Sequence, residues 1–127
     1  MALFRNIFEG RERDHAVLTF SRSGEPGAAY RVAEDHWAID ACPHHGPSVA
    51  VAADGSLLAA WFTQGQARQG LFLARSTDGG KQFSAPLPVG DPQQQPGRPA
   101  LLARGDTVWL AWKEFDGQRI LVKLRKS

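Results

Sequence analysis

A repeat with a period of 51 residues is the feature that most constrains the fold of this chain. One segment reads PSVAVAADGSLLAAWF, and a later one reads PALLARGDTVWLAWK. Each begins with proline and a short apolar run, and continues through a two-residue turn signal to Trp61 or Trp112, which are 51 residues apart. A further run in each segment leads to Ser76 and Ser127, at the same separation. Self-similarity at such a period predicts stacked copies of one supersecondary unit.

Short strands, rather than helices, account for the apolar pattern. The runs are rich in β-branched and aromatic residues and are bounded by Asp-Gly, Gly-Asp or Pro-Gly, and no window sustains a helical period. We predict an all-β fold with strands near residues 2–8, 15–22, 30–33, 48–53, 57–62, 71–75, 84–89, 100–103, 108–112 and 120–126. The repeat divides them into an incomplete unit over 1–36, a complete four-stranded unit over 47–90 and an incomplete unit over 98–127.

The segment STDGGKQF, which follows the strand near 71–75, contains the residues that a tight hairpin corner needs. Ser76 and Asp78 can accept hydrogen bonds from turn amides, and Gly79 and Gly80 can adopt positive φ. Phe83 can anchor the corner in the core. The segment therefore predicts a structural corner.

A degenerate copy of this corner is predicted one period earlier, in the segment SGEPGAAY. Ser23, Glu25, Gly27 and Tyr30 occupy the matching positions, with Glu in place of Asp and Tyr in place of Phe. Ser23 lies 53 residues before Ser76, close to the period of the repeat.

Together with the runs FRNIFEGRERD and WAIDACPHHGP, these corners resemble the Asp boxes of bacterial exo-α-sialidases and BNR-repeat proteins. The resemblance covers essentially the whole chain. It implies a partial β-propeller, with about two and a half four-stranded blades of a sialidase-like, six-bladed ring. The function it implies is that of a fragment or truncated member of the family, whose parent acts on or binds glycans. The alternative is a non-catalytic scaffold or interaction propeller, in which the Asp boxes are purely structural.

The resemblance also indicates catalytic candidates. Sialidases hold the substrate carboxylate with three arginines and use a Tyr–Glu nucleophile pair with an aspartate as acid and base. By order along the chain, Arg5 resembles one of these arginines and Asp14 resembles the aspartate. Arg13 is a substrate-binding candidate, or else a structural ion-pair partner of Asp14. The only tyrosine, Tyr30, falls on a corner anchor, so we expect this chain alone to be inactive toward sialosides.

Two further residues are candidates for contacting a glycan or a small anionic sugar. Trp37 opens the loop that precedes the strand near 48–53, where its ring can serve as a stacking platform for a sugar. Arg98 precedes the strand near 100–103, and it either points into a central channel, where it would bind an anion, or is solvated.

Cys42, His44 and His45 lie in the same loop as Trp37 and carry side chains that can ligate zinc or copper. The motif has no second cysteine. We favour a rigid loop bracketed by prolines and predict neither a metal nor another cofactor, with a metal-binding propeller as a further alternative.

Charge and hydropathy limit the partners. The 15 Lys and Arg residues are scattered and balanced by 13 Asp and Glu residues, whereas nucleic-acid binding needs a clustered basic face. No apolar stretch approaches the roughly 20 residues of a membrane span, and the N-terminal segment lacks the pattern of a signal peptide. We therefore expect no nucleic-acid or membrane partner, and the localisation stays open. An incomplete ring exposes inter-blade faces, so we expect self-association or contact with further blades of a longer parent.

Overall fold

The computed structural model describes all residues from Met1 to Ser127 and confirms the all-β prediction, with 51% of the residues in strands. The strands in chain order are β1 (Ala2–Arg5), β2 (His15–Phe20), β3 (Pro26–Arg31), β4 (Ser48–Val51), β5 (Leu57–Gln64), β6 (Gln69–Ser76), β7 (Leu87–Val89), β8 (Gly97–Arg104), β9 (Thr107–Phe115) and β10 (Ile120–Lys126). Two 3₁₀ turns, Glu9–Arg11 and Pro92–Gln94, lie in the loops. No helical segment has the length and apolar character needed to span a bilayer.

Each strand pairs with its neighbour in the chain, and the ten strands form three separate antiparallel sheets. The first sheet contains β1 to β3, the middle sheet β4 to β7 and the third sheet β8 to β10. The sheets do not close on themselves. The breaks between them fall in the connections 32–47 and 90–96, which carry the loops that form the site described below.

The last strand of the middle sheet is shorter than predicted because prolines interrupt it. β7 is limited to Leu87–Val89, whereas the sequence pattern extends it back to residue 84. Pro86 and Pro88 have no amide hydrogen, which limits the length of a regular strand here. Upstream of them, the Ser84 amide donates to the Arg75 carbonyl at 2.8 Å, and this bond keeps the segment close to β6 without a continuous ladder.

The middle sheet lies between the other two, and each of its faces contributes to an apolar core. Side chains alternate along β5, so Ala60 and Phe62 lie on one face and Ala59 and Trp61 on the other. The core facing the third sheet contains Trp37, Ala60, Phe62, Leu71, Val89 and Leu110, packed with Ile39, Leu73, Leu101 and Trp112. The core facing the first sheet contains Val32, Ala59, Trp61, Phe72 and Ala74, packed with Leu3, Ala33 and Phe83.

The sequence repeat is also a repeat of packing. Trp61 belongs to the core between the middle sheet and the first sheet. Trp112 packs against the core between the third sheet and the middle sheet. Each tryptophan is therefore directed toward the sheet that precedes its own.

The corner between β6 and β7 is built by the side chains of Ser76 and Asp78. The Ser76 hydroxyl donates to Asp78 Oδ1 at 2.8 Å and accepts the Gly80 amide at 2.9 Å. Asp78 Oδ1 also accepts the amides of Lys81 and Gln82, each at 3.0 Å. These hydrogen bonds, that of Gln82 above all, hold the pKa of Asp78 below its ordinary value.

The same corner packs against the first sheet. Gly80 has a φ of +91°, and a Cβ atom at this position would lie 2.7 Å from Cγ1 of Val17 on β2. Phe83 packs against the core that faces the first sheet. The corner thus couples the middle sheet to its neighbour, and only glycine fits at Gly80.

The earlier corner, between β2 and β3, differs from the predicted copy. The acceptor is Ser21, whose Oγ accepts the Glu25 amide at 3.1 Å, and the glycine with positive φ is Gly24, at 87°. Ser23 contributes a hydrogen bond only to the Ser21 hydroxyl, at 2.8 Å. The Glu25 residue takes part through its backbone, because its carbonyl accepts the Ser21 amide at 2.9 Å.

The remaining members of the predicted copy lie in a strand rather than in a corner. β3 begins at Pro26, so Gly27 is a strand residue and Tyr30 pairs with Val17 of β2. The turn closes before position 27, and Gly27 accordingly does not have the positive φ that a corner would require. The prediction of a second corner over Ser23–Tyr30 was therefore wrong.

Candidate functional site

Arg5 connects the loops that meet beside the end of β1. Its Nη1 donates to the Arg13 carbonyl at 3.2 Å, and its Nη2 donates to the His45 carbonyl at 3.3 Å. Its guanidinium carbon lies 4.5 Å from the centroid of the Trp37 ring. Burial lowers the pKa of Arg5, against the opposing effect of the Asp14 charge. Arg5 thus fixes two loops and keeps its charge at their junction.

Two cavities open at this junction. The first has a volume of about 300 Å³ and is lined by Arg5, Ile7, Arg13, Cys42, Pro43, His44, His45, Gly46 and Pro47. The second has a volume of about 460 Å³ and is lined by His45, Phe62, Gln64, Gln69, Gly70, Pro92, Gln95, Pro96, Gly97, Lys113 and Phe115. His45 lines both cavities, and no Asp or Glu lines either of them. We refer to the two together as the basic cleft.

His45 lies at the centre of the basic cleft. Its ring stacks on Phe62, with 4.3 Å between the centroids, and its Nδ1 atom is buried without a hydrogen-bond partner. Burial lowers the pKa of His45, and the charges of Arg98, Arg5 and Lys113 lower it further. The site is therefore electropositive, and a bound anion would offset this effect.

Arg13 and Arg98 differ in how firmly they are held. The Arg13 side chain lines the cleft and donates from Nε to the Ile39 carbonyl at 2.8 Å. Arg98 is exposed, has a positive φ of 53° and makes no ion pair. Arg98 follows Gly97, which lines the second cavity, so Arg98 lies at the edge of the cleft, where its charge lowers the pKa of His45.

Asp14 does not face the basic cleft. It is only 1% exposed, and its Oδ2 atom accepts the amides of Asp35 at 2.8 Å and His36 at 3.0 Å, together with an ion pair from Arg31. Its Oδ1 atom accepts the Trp37 amide at 3.2 Å. A carboxylate that is buried and hydrogen-bonded in this way holds a loop and has no access to a substrate. The geometry therefore argues against the predicted acid–base role.

The ion-pair partner of Asp14 is Arg31, and the suggestion that Arg13 fills this role was wrong. Burial alone would raise the pKa of Asp14, but the hydrogen bonds from Arg31, Trp37 and His36 outweigh it and lower the pKa. Arg31 also bonds Glu12 at 2.6 Å, and Oε1 of Glu12 accepts a hydrogen bond from Nδ1 of the His36 ring at 2.8 Å.

Trp37 is a core residue rather than a sugar-stacking platform. It is 7% exposed, its ring meets Phe62 edge-on at 5.9 Å, and Arg5 covers one of its faces. Both contacts leave no free face for a sugar. Its role is to support Arg5, which lines the cleft.

Cys42, His44 and His45 do not form a metal-ligand set. Cys42 and His44 are exposed, His45 stacks on Phe62, and no group of three or more Cys, His, Asp or Glu side chains converges anywhere in the chain. The three residues instead form part of the wall of the first cavity.

Sequence reasoning missed Lys113 and Arg31. Lys113 pairs with Gly97 across β8 and β9, which brings it to the cleft. In the repeat Lys113 corresponds to the apolar residue Phe62, so the repeat does not indicate a binding residue at this position. Arg31 ends β3 beside Asp14, and only the strand register reveals that they meet. The predicted residues that the fold does bring together are Arg5, Arg13, Cys42, His44, His45 and Arg98.

Comparison with protein-family models, curated proteins and solved structures finds no match to this chain. The relation to sialidases accordingly stays a prediction from the sequence.

Proposed function

We propose that this chain is a sialidase-like propeller segment that binds a carboxylate-bearing sugar in the basic cleft without hydrolysing it. Three antiparallel sheets follow one another in chain order and stack face to face around a complete four-stranded middle sheet. This order supports a propeller-type arrangement, and the corner at Ser76 has the hydrogen bonds that an Asp box needs.

The observation that carries the proposal is the composition of the basic cleft. Arg5, Arg13, Arg98 and Lys113 surround His45, and no carboxylate lines either cavity. Guanidinium groups bind carboxylates through paired, charge-assisted hydrogen bonds.

Two features favour binding over hydrolysis. Asp14 is buried and occupied by Arg31 and three amides, so it is not available to exchange a proton with a glycoside. Tyr30 lies in β3 of the first sheet and lines neither cavity. The cleft therefore has cations to hold an anionic sugar, but neither the aspartate nor the tyrosine that the sialidase mechanism would use lines it.

The experiment is a calorimetric titration of the full chain with N-acetylneuraminic acid, with galactose as the neutral control. We expect saturable binding of the acid that weakens as salt is raised, because exposed charges are screened. Arg98→Gln and Lys113→Gln should each weaken binding about tenfold, the effect of losing roughly 1.4 kcal/mol. Arg125→Gln removes the same charge at an exposed position on β10 and should leave binding unchanged.

Four results would contradict the proposal. Equal binding of galactose would show that the cations do not select the ligand. An equal loss in Arg125→Gln would reduce the effect to net charge. Binding of neither sugar would favour the scaffold alternative, and release of the sugar from a sialoside by the purified chain would show that the cleft is catalytic.

A further inference from the structure

The third sheet has one face that no other part of the chain covers. Its inner face packs against the middle sheet through Leu101, Leu110 and Trp112. The opposite face carries the apolar side chains of Ala100, Leu102, Trp109, Ala111, Ile120, Val122 and Leu124. Val122 is 80% exposed, Leu124 68% and Leu102 61%. A shallow cavity of about 420 Å³ on this face is lined by Leu102 and Leu124, among others. Contiguous apolar patches on a protein surface mark interaction sites.

The internal repeat indicates what covers such a face. With the offset of 51 residues, Ala111 corresponds to Ala60, and Val122 and Leu124 correspond to Leu71 and Leu73. In the middle sheet those three residues form the face against which the third sheet packs. The uncovered face of the third sheet is therefore a second copy of a surface that, inside this chain, is covered by the next sheet.

The complementary surface is also present in the chain, on the first sheet. Leu3 packs toward the middle sheet, so the alternation of side chains places Phe4 on the opposite face. Phe4 pairs with Ala16, Leu18 lies on the same face, and Phe20 at the end of β2 is 46% exposed. Phe4 therefore lies on the face of the first sheet that corresponds to the face carrying Trp61 in the middle sheet and Trp112 in the third, and both tryptophans are directed at the preceding sheet. No other sheet of the structure packs against this face of the first sheet.

We propose that the chain associates head to tail, with the uncovered face of the third sheet packing on the outer face of the first sheet of a second copy. This contact repeats the two sheet-to-sheet interfaces that the chain already contains. It is heterologous, because two different surfaces meet, and it therefore builds a ring if the rotation closes and an open chain if it does not. The sugar-binding proposal plays no part in this inference.

The experiment measures the mass of the full chain by sedimentation at tens of micromolar. Val122→Lys places a charge on the third-sheet face, and Phe20→Lys places one on the first-sheet face. Leu87→Lys is the matched control, because Leu87 is 61% exposed on β7 of the middle sheet. We expect the wild type and Leu87→Lys to self-associate and the two face variants to be folded monomers by circular dichroism.

A mixing experiment distinguishes the head-to-tail contact from other modes. Val122→Lys keeps an intact first-sheet face, and Phe20→Lys keeps an intact third-sheet face. An equimolar mixture should therefore form a two-chain complex and nothing larger. The inference is overturned by a monomeric wild type, by Val122→Lys that assembles as the wild type does, or by a mixture that stays monomeric. It is also overturned if Phe20→Lys assembles normally, since the third-sheet face would then pair with itself.

Discussion

The indole N–H of Trp61 donates a 2.7 Å hydrogen bond to the carboxylate of Asp35, and both residues are almost completely buried. Trp61 comes from β5 of the middle sheet, whereas Asp35 comes from the connection that leaves the first sheet. Asp35 also forms an ion pair with Arg68, and burial raises its pKa despite both partners. The pair therefore joins two sheets through a buried carboxylate, whose charged form is stabilised by the hydrogen bond from Trp61 and the ion pair with Arg68.

Removing the donor of this pair should be costly. Trp61→Phe retains an aromatic ring but leaves Asp35 with one donor fewer, and a hydrogen bond to a charged group contributes about 1.5–3 kcal/mol. We expect the free energy of unfolding in urea to fall by about 2 kcal/mol. Trp112→Phe is the control, because Trp112 is only half-buried and its acceptor Glu114 also accepts the Asp91 amide at 3.1 Å. An equal loss in both variants would contradict the special role of Asp35.

Adjacent glycines in the Ser76 corner provide a matched test of its packing. Gly79 and Gly80 have φ of +77° and +91°, so alanine is strained at both, by about 1 kcal/mol. At Gly79 a Cβ atom has nothing within 4 Å, whereas at Gly80 it lies 2.7 Å from Val17. We expect Gly80→Ala to lower the stability clearly more than Gly79→Ala, as measured by urea unfolding. Equal losses would mean that the corner does not press on the first sheet.

Asp14 should contribute to stability rather than to catalysis. Asp14→Asn removes a charge that Arg31 faces, while Arg31 keeps its ion pair with Glu12, and a hydrogen bond to a charged group contributes about 1.5–3 kcal/mol. Because the folded-state pKa of Asp14 is lowered, its contribution is present above its ordinary pKa and is lost as the pH falls through the lower, folded value. Glu12→Gln removes the other, more exposed carboxylate bound to Arg31 and should cost much less.

A stable Asp14→Asn variant would contradict this assignment. Thermal unfolding of the two variants beside the wild type measures the difference directly.

His15 should make the free energy of unfolding depend on pH, in a pH range higher than the one in which the carboxylates titrate. It is 1% exposed, neither ring nitrogen has a hydrogen-bond partner, and burial, together with the charge of Arg5, lowers its pKa to about 3. The unfolded chain takes up this proton near the ordinary value of about 6.5, so stability falls as the pH drops below about 6.5. The loss approaches about 1.4 kcal/mol per pH unit.

His15→Leu should remove this dependence and keep or raise the stability at neutral pH, because two unsatisfied polar atoms disappear. Urea unfolding between about pH 7 and about pH 5 measures the slope. The exposed His44 offers a control, since His44→Gln should retain the wild-type slope. A His15→Leu slope equal to that of the wild type would place the pH dependence elsewhere.

Local signals made most of the fold predictable. The Asp-Gly at 54–55 and the Gly-Asp at 105–106 mark the hairpins between β4 and β5 and between β8 and β9, and each falls between the observed strands. The corner at Ser76 has its acceptors and glycines within five residues, so its hydrogen bonds are readable from the sequence.

The site was harder to predict because its contacts are long-range. Asp14 and Arg31 meet only through the register of β2 and β3, and Trp37 lies in an irregular loop, where no alternation indicates which side chain is buried. The earlier corner was misplaced for a related reason. Ser21 and Ser23 are both plausible acceptors, and the start of β3 at Pro26 decides between them.

The short fourth strand of the middle sheet affects how the protein behaves at high concentration. β7 spans only Leu87–Val89, with Pro88 at its centre, so its outer side presents almost no free amide to an incoming strand. Amyloid-like growth requires an uninterrupted backbone template, and this edge does not offer one. Crowding of the chain should therefore leave the β7 edge of the middle sheet resistant to fibril formation.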